Sequence, residues 1–587
     1  MHGCVTCLMK LSPRSARPAA AWAAVVWPAA VLLLAAGSTS AAERADVKSA
    51  PVAVSATATK LAPATKLTAA ELAREIDRHV DRQLQAKKIP VSPRTDDAEF
   101  LRRAYLDIVG TIPPLEKVEA FLADKSSAKR ASLIDELLRT EEYALHMTDQ
   151  WREHLIPGTA AAGRRRHETG IAWIEKAFRE NRPYDEFIRG ALTVEGFQRD
   201  NGAATFLITH QSLDEVTDRM SKVLLGVQVT CAQCHDHPFA AWKQDDYWGL
   251  AAFFSKVRHQ YEKIDKVEHY GVSERGERKP LMTPPSLKVV PPTYLGGVRP
   301  TLDPKEPYLP TFVDWLAAAD NPYFARAFAN RLWRTLMGRG LVEPVDDLRD
   351  ANPGTHPELL ALLGEQFRVN DFDIHYLTRA VTLSETYQRS SRPLDGNLAD
   401  AELYSHMAVK VMPPYVLGDS LLVFMRIGDP PPGTVAKTEA KPAKPQATTD
   451  TKSPKADAKP AEPKNAEDEA LKAKLRARAT RDSFASFFKG EENAAPTAFE
   501  TGLPQALRLM NSQDMFRGSR VVAALEKTTT DRSRLVEQIY LAALARRPSE
   551  AEQTIVAKYL QTQPDYRRGL NDLIWALLNG TEFVTNH

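Results

Sequence analysis

Cys231-Ala232-Gln233-Cys234-His235 sets two thiols and an imidazole at the C-x-x-C-H spacing. At that spacing both thiols bond covalently to haem vinyl groups, and the adjoining histidine ligates the iron. The run continues Asp236-His237-Pro238-Phe239, adding metal-capable and aromatic groups to the same stretch. Cysteine is scarce here: the chain has 4, and the other two are Cys4 and Cys7. On this reading Cys231 and Cys234 form thioethers to a c-type haem and His235 is the proximal ligand.

The opposite face of the iron is not fixed by the motif. His237 is too close along the chain to reach it, so Met220, Met282, His210 and His154 are the candidates. Methionine raises the reduction potential relative to histidine, whereas an empty position permits ligand binding or peroxidase chemistry. The simplest function of such a site is periplasmic electron transfer, with redox proteins or other exported proteins as partners.

Two other readings stay open. Cys231 and Cys234 close a small disulfide in an oxidising compartment, or they hold a metal such as zinc. Adjacent Cys234 and His235 fit poorly around one tetrahedral ion, so a zinc site would use His237 and a remote ligand. Either makes the protein a non-haem structural or scaffold component. A thioredoxin-like role lacks the βαβ surroundings it needs.

The start of the chain bears on this choice. Lys10, Arg14 and Arg17 precede the alanine-rich apolar stretch Ala19 to Ala36, and Ser40-Ala41-Ala42 follows. That pattern predicts a signal peptide over residues 1–42, and hence a periplasmic or secreted protein with no membrane span after cleavage. Cleavage leaves Cys231 and Cys234 as the only thiols, on the side of the membrane where haem is attached to such motifs. Lys+Arg 77 against Asp+Glu 75 gives +2, and loss of the three leader cations leaves −1, so no nucleic-acid partner is implied.

The elements that must position the motif read as mainly α. Residues 43–66 form an Ala/Thr/Lys/Pro-rich disordered leader. Thr68-Ala69-Ala70-Glu71 is a capping box, followed by Leu72, Ile76, Val80 and Leu84 at helical spacing. Further helices are predicted near Asp97 to Val109, with Gly110 as a stop, and over Leu115–Leu122, Ser127–Leu138, Ile171–Glu180 and Asp214–Leu225. Trp242, Tyr247, Trp248, Leu250, Phe253 and Phe254 either wall a flat cofactor or fill a helical core. Residues 259–310 are a proline-rich, partly extended connector, with short strand signals only at Lys288–Val290 and Tyr294. Helical periodicity resumes over Phe312–Leu336, His356–Phe367 and Ile374–Tyr387, and again toward the end. The predicted architecture is two packed helical domains, 67–258 and 311–587, the second interrupted by a disordered low-complexity insertion at 430–475.

Longer motifs then narrow the reading. Glu99-Phe100-Leu101-Arg102-Arg103-Ala104-Tyr105-Leu106-Asp107, Asn181 to Ile188 and Cys231 to Phe239 resemble the planctomycete cytochrome-like domain. Asn321 to Ala327, Asn330-Arg331-Leu332-Trp333, Gly338 to Val342, His356 to Leu360 and Trp575 to Asn579 resemble its companion, a planctomycete C-terminal domain. The resemblance implies an exported bacterial protein of a largely uncharacterised family, and assigns no reaction. No nucleophile elbow, phosphate loop, paired-carboxylate signature or metalloprotease helix is present to assign one.

Overall fold

Local capping starts the fold where the pattern places it. In a computed structural model, which describes residues 65–157, 164–276, 281–284, 286–428, 481, 496–497 and 518–587, the first helix is Ala69–Lys87. Thr68 Oγ1 accepts from the Glu71 N–H at 3.3 Å, and the Glu71 carboxylate accepts from the Thr68 N–H at 2.8 Å. Leu72, Ile76, Val80 and Leu84 are all buried, each contributing roughly 1.5–3 kcal/mol. The next helix, Asp97–Ile108, is capped by Asp96 and ends at Gly110, whose φ of +71° suits glycine.

Helices Leu115–Ala123, Lys129–Leu137 and Leu213–Met220 follow the predicted pattern, while Arg164–Arg179 starts earlier than expected. The periodic run Phe312–Leu336 is two helices, Leu309–Ala317 and Phe324–Met337, because Asn321-Pro322 interrupts it. Helices Glu141–Leu155 and Tyr184–Leu192 carry no strong start signal in the sequence beyond Thr140 and Pro183.

The connector holds more strand than its prolines suggest. Gly196–Phe197 (β1), Val257–Ile264 (β2) and Val267–Glu274 (β3) form an antiparallel sheet in the order β1-β3-β2. Asp265 and Lys266 turn the hairpin with φ of +46° and +67°, the two positive values of a tight two-residue turn. The expected boundary at 258 therefore cuts β2. A second hairpin, Leu281–Thr283 (β4) and Lys288–Val290 (β5), contains the predicted strand. Tyr294 is not in a strand but stacks between Phe253 (5.2 Å) and Trp315 (4.7 Å).

The two helical regions are packed around shared cores. One continuous apolar cluster runs from Ala69 to Ala545, and a second joins Leu106 and Ile112 to helices Pro414–Met425, Arg532–Leu544 and Tyr566–Leu578. Short strands Lys410–Val411 (β6) and Thr585–Asn586 (β7) pair beside it. No helix of the described residues is long and apolar enough to cross a membrane. The expected signal peptide at 1–42, nearly all of the leader at 43–66 and the insertion at 430–475 lie outside the described residues.

Candidate functional site

The C-x-x-C-H sits on a loop anchored from below by apolar residues. Helix Leu213–Met220, capped by Ser212 and Glu215, widens into a π turn at Ser221–Leu225 and stops at Gly226. Gly226 has φ +65°, and a Cβ there would lie 2.8 Å from Leu348 Cδ1 and 3.1 Å from Ala327 Cβ. Gly226 O also accepts from the Leu348 N–H at 2.8 Å, so the second helical region abuts the approach to the motif. Gly226→Ala should cost about 1–2 kcal/mol in urea unfolding, from left-handed strain plus a shift of the Leu348 side chain.

Beyond the turn, Val227, Val229 and Ala232 are buried and pin the 3-10 turn Thr230–Gln233. Thr230 donates its hydroxyl hydrogen to Asp218, which also pairs with Lys222 at 2.8 Å. Burying Ala232 turns its neighbours outward. Cys231 and Cys234 are both exposed, free thiols, not joined to each other.

The two histidines of the motif differ in what their rings do. His235 Nδ1 lies 2.7 Å from Asp236 O, and a carbonyl only accepts, so Nδ1 carries the proton. That leaves the Nε2 lone pair of an exposed ring available to a metal. His237 Nδ1 instead accepts from the Phe239 and Ala240 N–H groups at 3.1 and 2.9 Å. It caps a turn, and in its neutral form the proton sits on Nε2, so His235 is the better-disposed ligand. Among the described residues no group of three or more His, Cys, Asp or Glu is arranged to hold a metal ion.

Helix Gln244–Ala252 closes the loop. Gln244 N–H donates to Asp236 Oδ1 at 3.0 Å, and Trp248 Nε1–H donates to Gln233 O at 2.9 Å. Gln244 Nε2 lies within reach of Gln233 O (3.2 Å), Cys234 O (3.1 Å) and Pro284 O (2.6 Å), tying the motif to the β4–β5 hairpin. Lys288 pairs with Asp245 across the same junction. Arg349 Nη1 donates to Phe239 O at 2.9 Å, and Gln228 Nε2 to Asp346 Oδ1 at 2.9 Å.

The aromatic segment serves the core, with Trp242 and Trp248 packed against its edge. Tyr247, Leu250, Phe253 and Phe254 are buried, with Phe253 5.1 Å from Phe312, so they fill the core. Trp242 and Trp248 are half-buried beside the loop. Of the candidates for a second axial ligand, Met220 is buried in the core and His210 is buried with Nδ1 against Phe206 O at 2.9 Å. His154 packs edge-on against Trp151, its basicity held well below the ordinary histidine range by burial and then by Arg331, Arg219 and Arg334. Met282 is 49% exposed.

Asp218, Gln244 and Arg349 were not legible as site residues. Gln244 and Arg349 act through contacts made 10 and 110 residues away, for which no local pattern exists. Asp236, next to the motif, meets His235 Nδ1 with its backbone oxygen, which every residue has, and accepts from the Gln244 N–H with its carboxylate.

Comparison with known proteins agrees with the motif pattern. The family model PSCyt2, described as a protein of unknown function (DUF1549), matches residues 75–259, including the whole C-x-x-C-H loop. The model PSD1, a protein of unknown function (DUF1553), matches residues 310–560. No curated protein and no solved structure matches the chain. The chain thus carries a match to the PSCyt2 model followed by a match to the PSD1 model, in the order of the two-domain planctomycete architecture.

Proposed function

We propose that the protein is exported, carries a c-type haem on Cys231 and Cys234 with His235 as axial ligand, and serves in electron transfer outside the cytoplasmic membrane. The observation that carries this reading is the His235–Asp236 hydrogen bond beside two accessible thiols. Metal-ligating histidines commonly donate the other ring N–H to a carbonyl or carboxylate, which fixes the tautomer and raises ligand basicity. Here the Asp236 carbonyl does so before any metal arrives.

A bound haem would supply a one-electron couple. The chain's own residues do the rest. Cys231 and Cys234 would hold such a haem through thioethers, each thiol adding across one vinyl group with its sulfur on one carbon and its hydrogen on the other. Ala232 keeps the two sulfurs outward by filling the core beneath them. Gln244 and Trp248 hold the turn's carbonyls, and Arg349 holds the far side of the loop at Phe239. Phe239, on the same loop, is 85% exposed.

The test is production with a c-type maturation system. A Soret band and haem staining that survives denaturing electrophoresis are expected, and both vanish in Cys231→Ser/Cys234→Ser. A colourless protein with stoichiometric zinc would replace this reading with a metal site.

A further inference from the structure

We infer that a chamber bounded by β2, β3, the end of helix Tyr184–Leu192 and the start of helix Leu309–Ala317 binds a small organic cation, a primary ammonium on a short apolar body. None of these elements carries the C-x-x-C-H motif, so the inference stands apart from the haem reading. The chamber holds about 220 Å³. Sites for drug-sized molecules hold roughly 300–1,000 Å³, so the ligand here is smaller. Leu207, Val272 and Leu309, all buried, give it apolar walls, while two carboxylate residues, Glu195 and Glu274, also line it.

Charge decides what the chamber takes. Glu274 is 7% exposed, and its carboxylate accepts from neutral donors. Oε1 takes the Tyr308 and Leu309 N–H groups at 2.5 and 3.1 Å, and Oε2 shares the second at 3.2 Å. Among the described residues no cation pairs with it. The Lys256 ammonium is directed to Pro304 O and Glu306 O, each at 2.6 Å, and lies over the Tyr308 ring. A second carboxylate adjoins: Glu195 Oε1 accepts the Glu274 N–H at 3.2 Å. Its other oxygen is taken by Arg275, whose side chain is 80% exposed. Burial raises the Glu274 pKa from 4.5 to about 7, against its N–H bonds, and Glu195 adds to the rise. A cation in the chamber supplies the partner that a buried carboxylate lacks. An ammonium brings three donors and no acceptor, which suits the spare acceptor capacity of Glu274 Oε2 and the Ser273 hydroxyl. A bare calcium ion takes about six to eight oxygens, more than two carboxylates among apolar walls provide.

The experiment titrates the full chain with n-butylammonium chloride by calorimetry, with butan-1-ol as the uncharged match. At pH 8 butylammonium should bind about tenfold or more tighter than butanol. Its affinity should fall about tenfold from pH 8 to 6, as Glu274 takes up its proton. Glu195, Lys256, His259, Arg275 and Tyr308 are the charged or titratable groups on the elements packed around Glu274. Glu274→Gln keeps an acceptor for the two N–H groups, yet should weaken butylammonium about tenfold and abolish the pH dependence. Glu195→Gln should weaken binding and keep that dependence. Val194→Phe, which fills the chamber, should weaken both probes. Circular dichroism establishes that each variant is folded, and the two probes on the parent decide the matter without any variant. Equal binding of butylammonium and butanol, no measurable binding to the parent, or unchanged affinity in folded Glu274→Gln overturns the assignment.

Discussion

Lys410→Met should destabilise the chain by about 3–5 kcal/mol, the cost of leaving a buried charge without its partner. Lys410 Nζ lies 2.5 Å from Asp107 Oδ1, and both side chains are 5% exposed. The ammonium also donates to Leu336 O at 2.6 Å and Thr335 O at 3.2 Å, so all its hydrogens are used. Burial pushes its pKa down, and Asp107 opposes that shift. Asp107 accepts in addition from Tyr387 OH at 2.9 Å and Asn586 Nδ2 at 2.7 Å. The cluster joins helix Asp97–Ile108, the end of helix Phe324–Met337 and the β6–β7 pair. Methionine fills the space of the lysine stem but leaves the carboxylate with two neutral donors only. Pairing it with Asp107→Asn removes the stranded charge and should recover more than half of the loss. Urea unfolding of the three proteins decides the matter. A single-variant cost under about 1 kcal/mol, or a double variant no better than the single, counts against the argument.

The same cluster shows what the sequence could and could not reveal. The run Glu99 to Asp107 was recognisable as a family motif, and its helix was legible from Asp96 and the apolar spacing. Its chemistry was not. Arg102 is wholly buried and donates to Ala543 O at 3.0 Å and Phe583 O at 2.8 Å. Arg103 donates to Tyr387 O at 2.7 Å and Arg389 O at 2.9 Å. These partners lie 284 to 481 residues away, so charge in a helix pattern reads as solvated when it is in fact the joint between regions. The C-x-x-C-H was legible because its chemistry needs residues only three and four positions apart. The surroundings that choose between His235 and His237 depend on backbone hydrogen bonds. Nor did the β2–β3 hairpin announce itself: its turn is Asp-Lys rather than Asn-Gly, and most of β2 is exposed, so no apolar alternation marks it.

Acidification from pH 7 to 4 should cost the fold roughly 6 kcal/mol through His146 and His356 alone. Both rings are buried, and burial is the main cause that lowers each pKa from 6.5 to about 4. Arg481 adds to the effect at His146, where a hydrogen bond to the Asp107 backbone opposes it. Gln150 Nε2 lies 2.7 Å from His146 Nε2 and suits the neutral ring. His79 and Lys87 add to it at His356, which also precedes Pro357 at the positive end of helix Pro357–Val369. For a depressed histidine pKa, the stabilisation is present above the unfolded value of about 6.5 and disappears as pH falls through about 4. Glu274 acts in the opposite sense. Burial raises its pKa from 4.5 to about 7, against the hydrogen bonds it accepts from the Tyr308 and Leu309 N–H groups. Its contribution is fully present below 4.5 and lost as pH rises through 7, so acidification returns roughly 3 kcal/mol. Two histidines outweigh one glutamate, and urea midpoints should fall between pH 7 and 4. His356→Gln should remove about 3 kcal/mol of the fall, and Glu274→Gln should steepen it. Parallel pH profiles for the parent and both variants would remove these groups from the account.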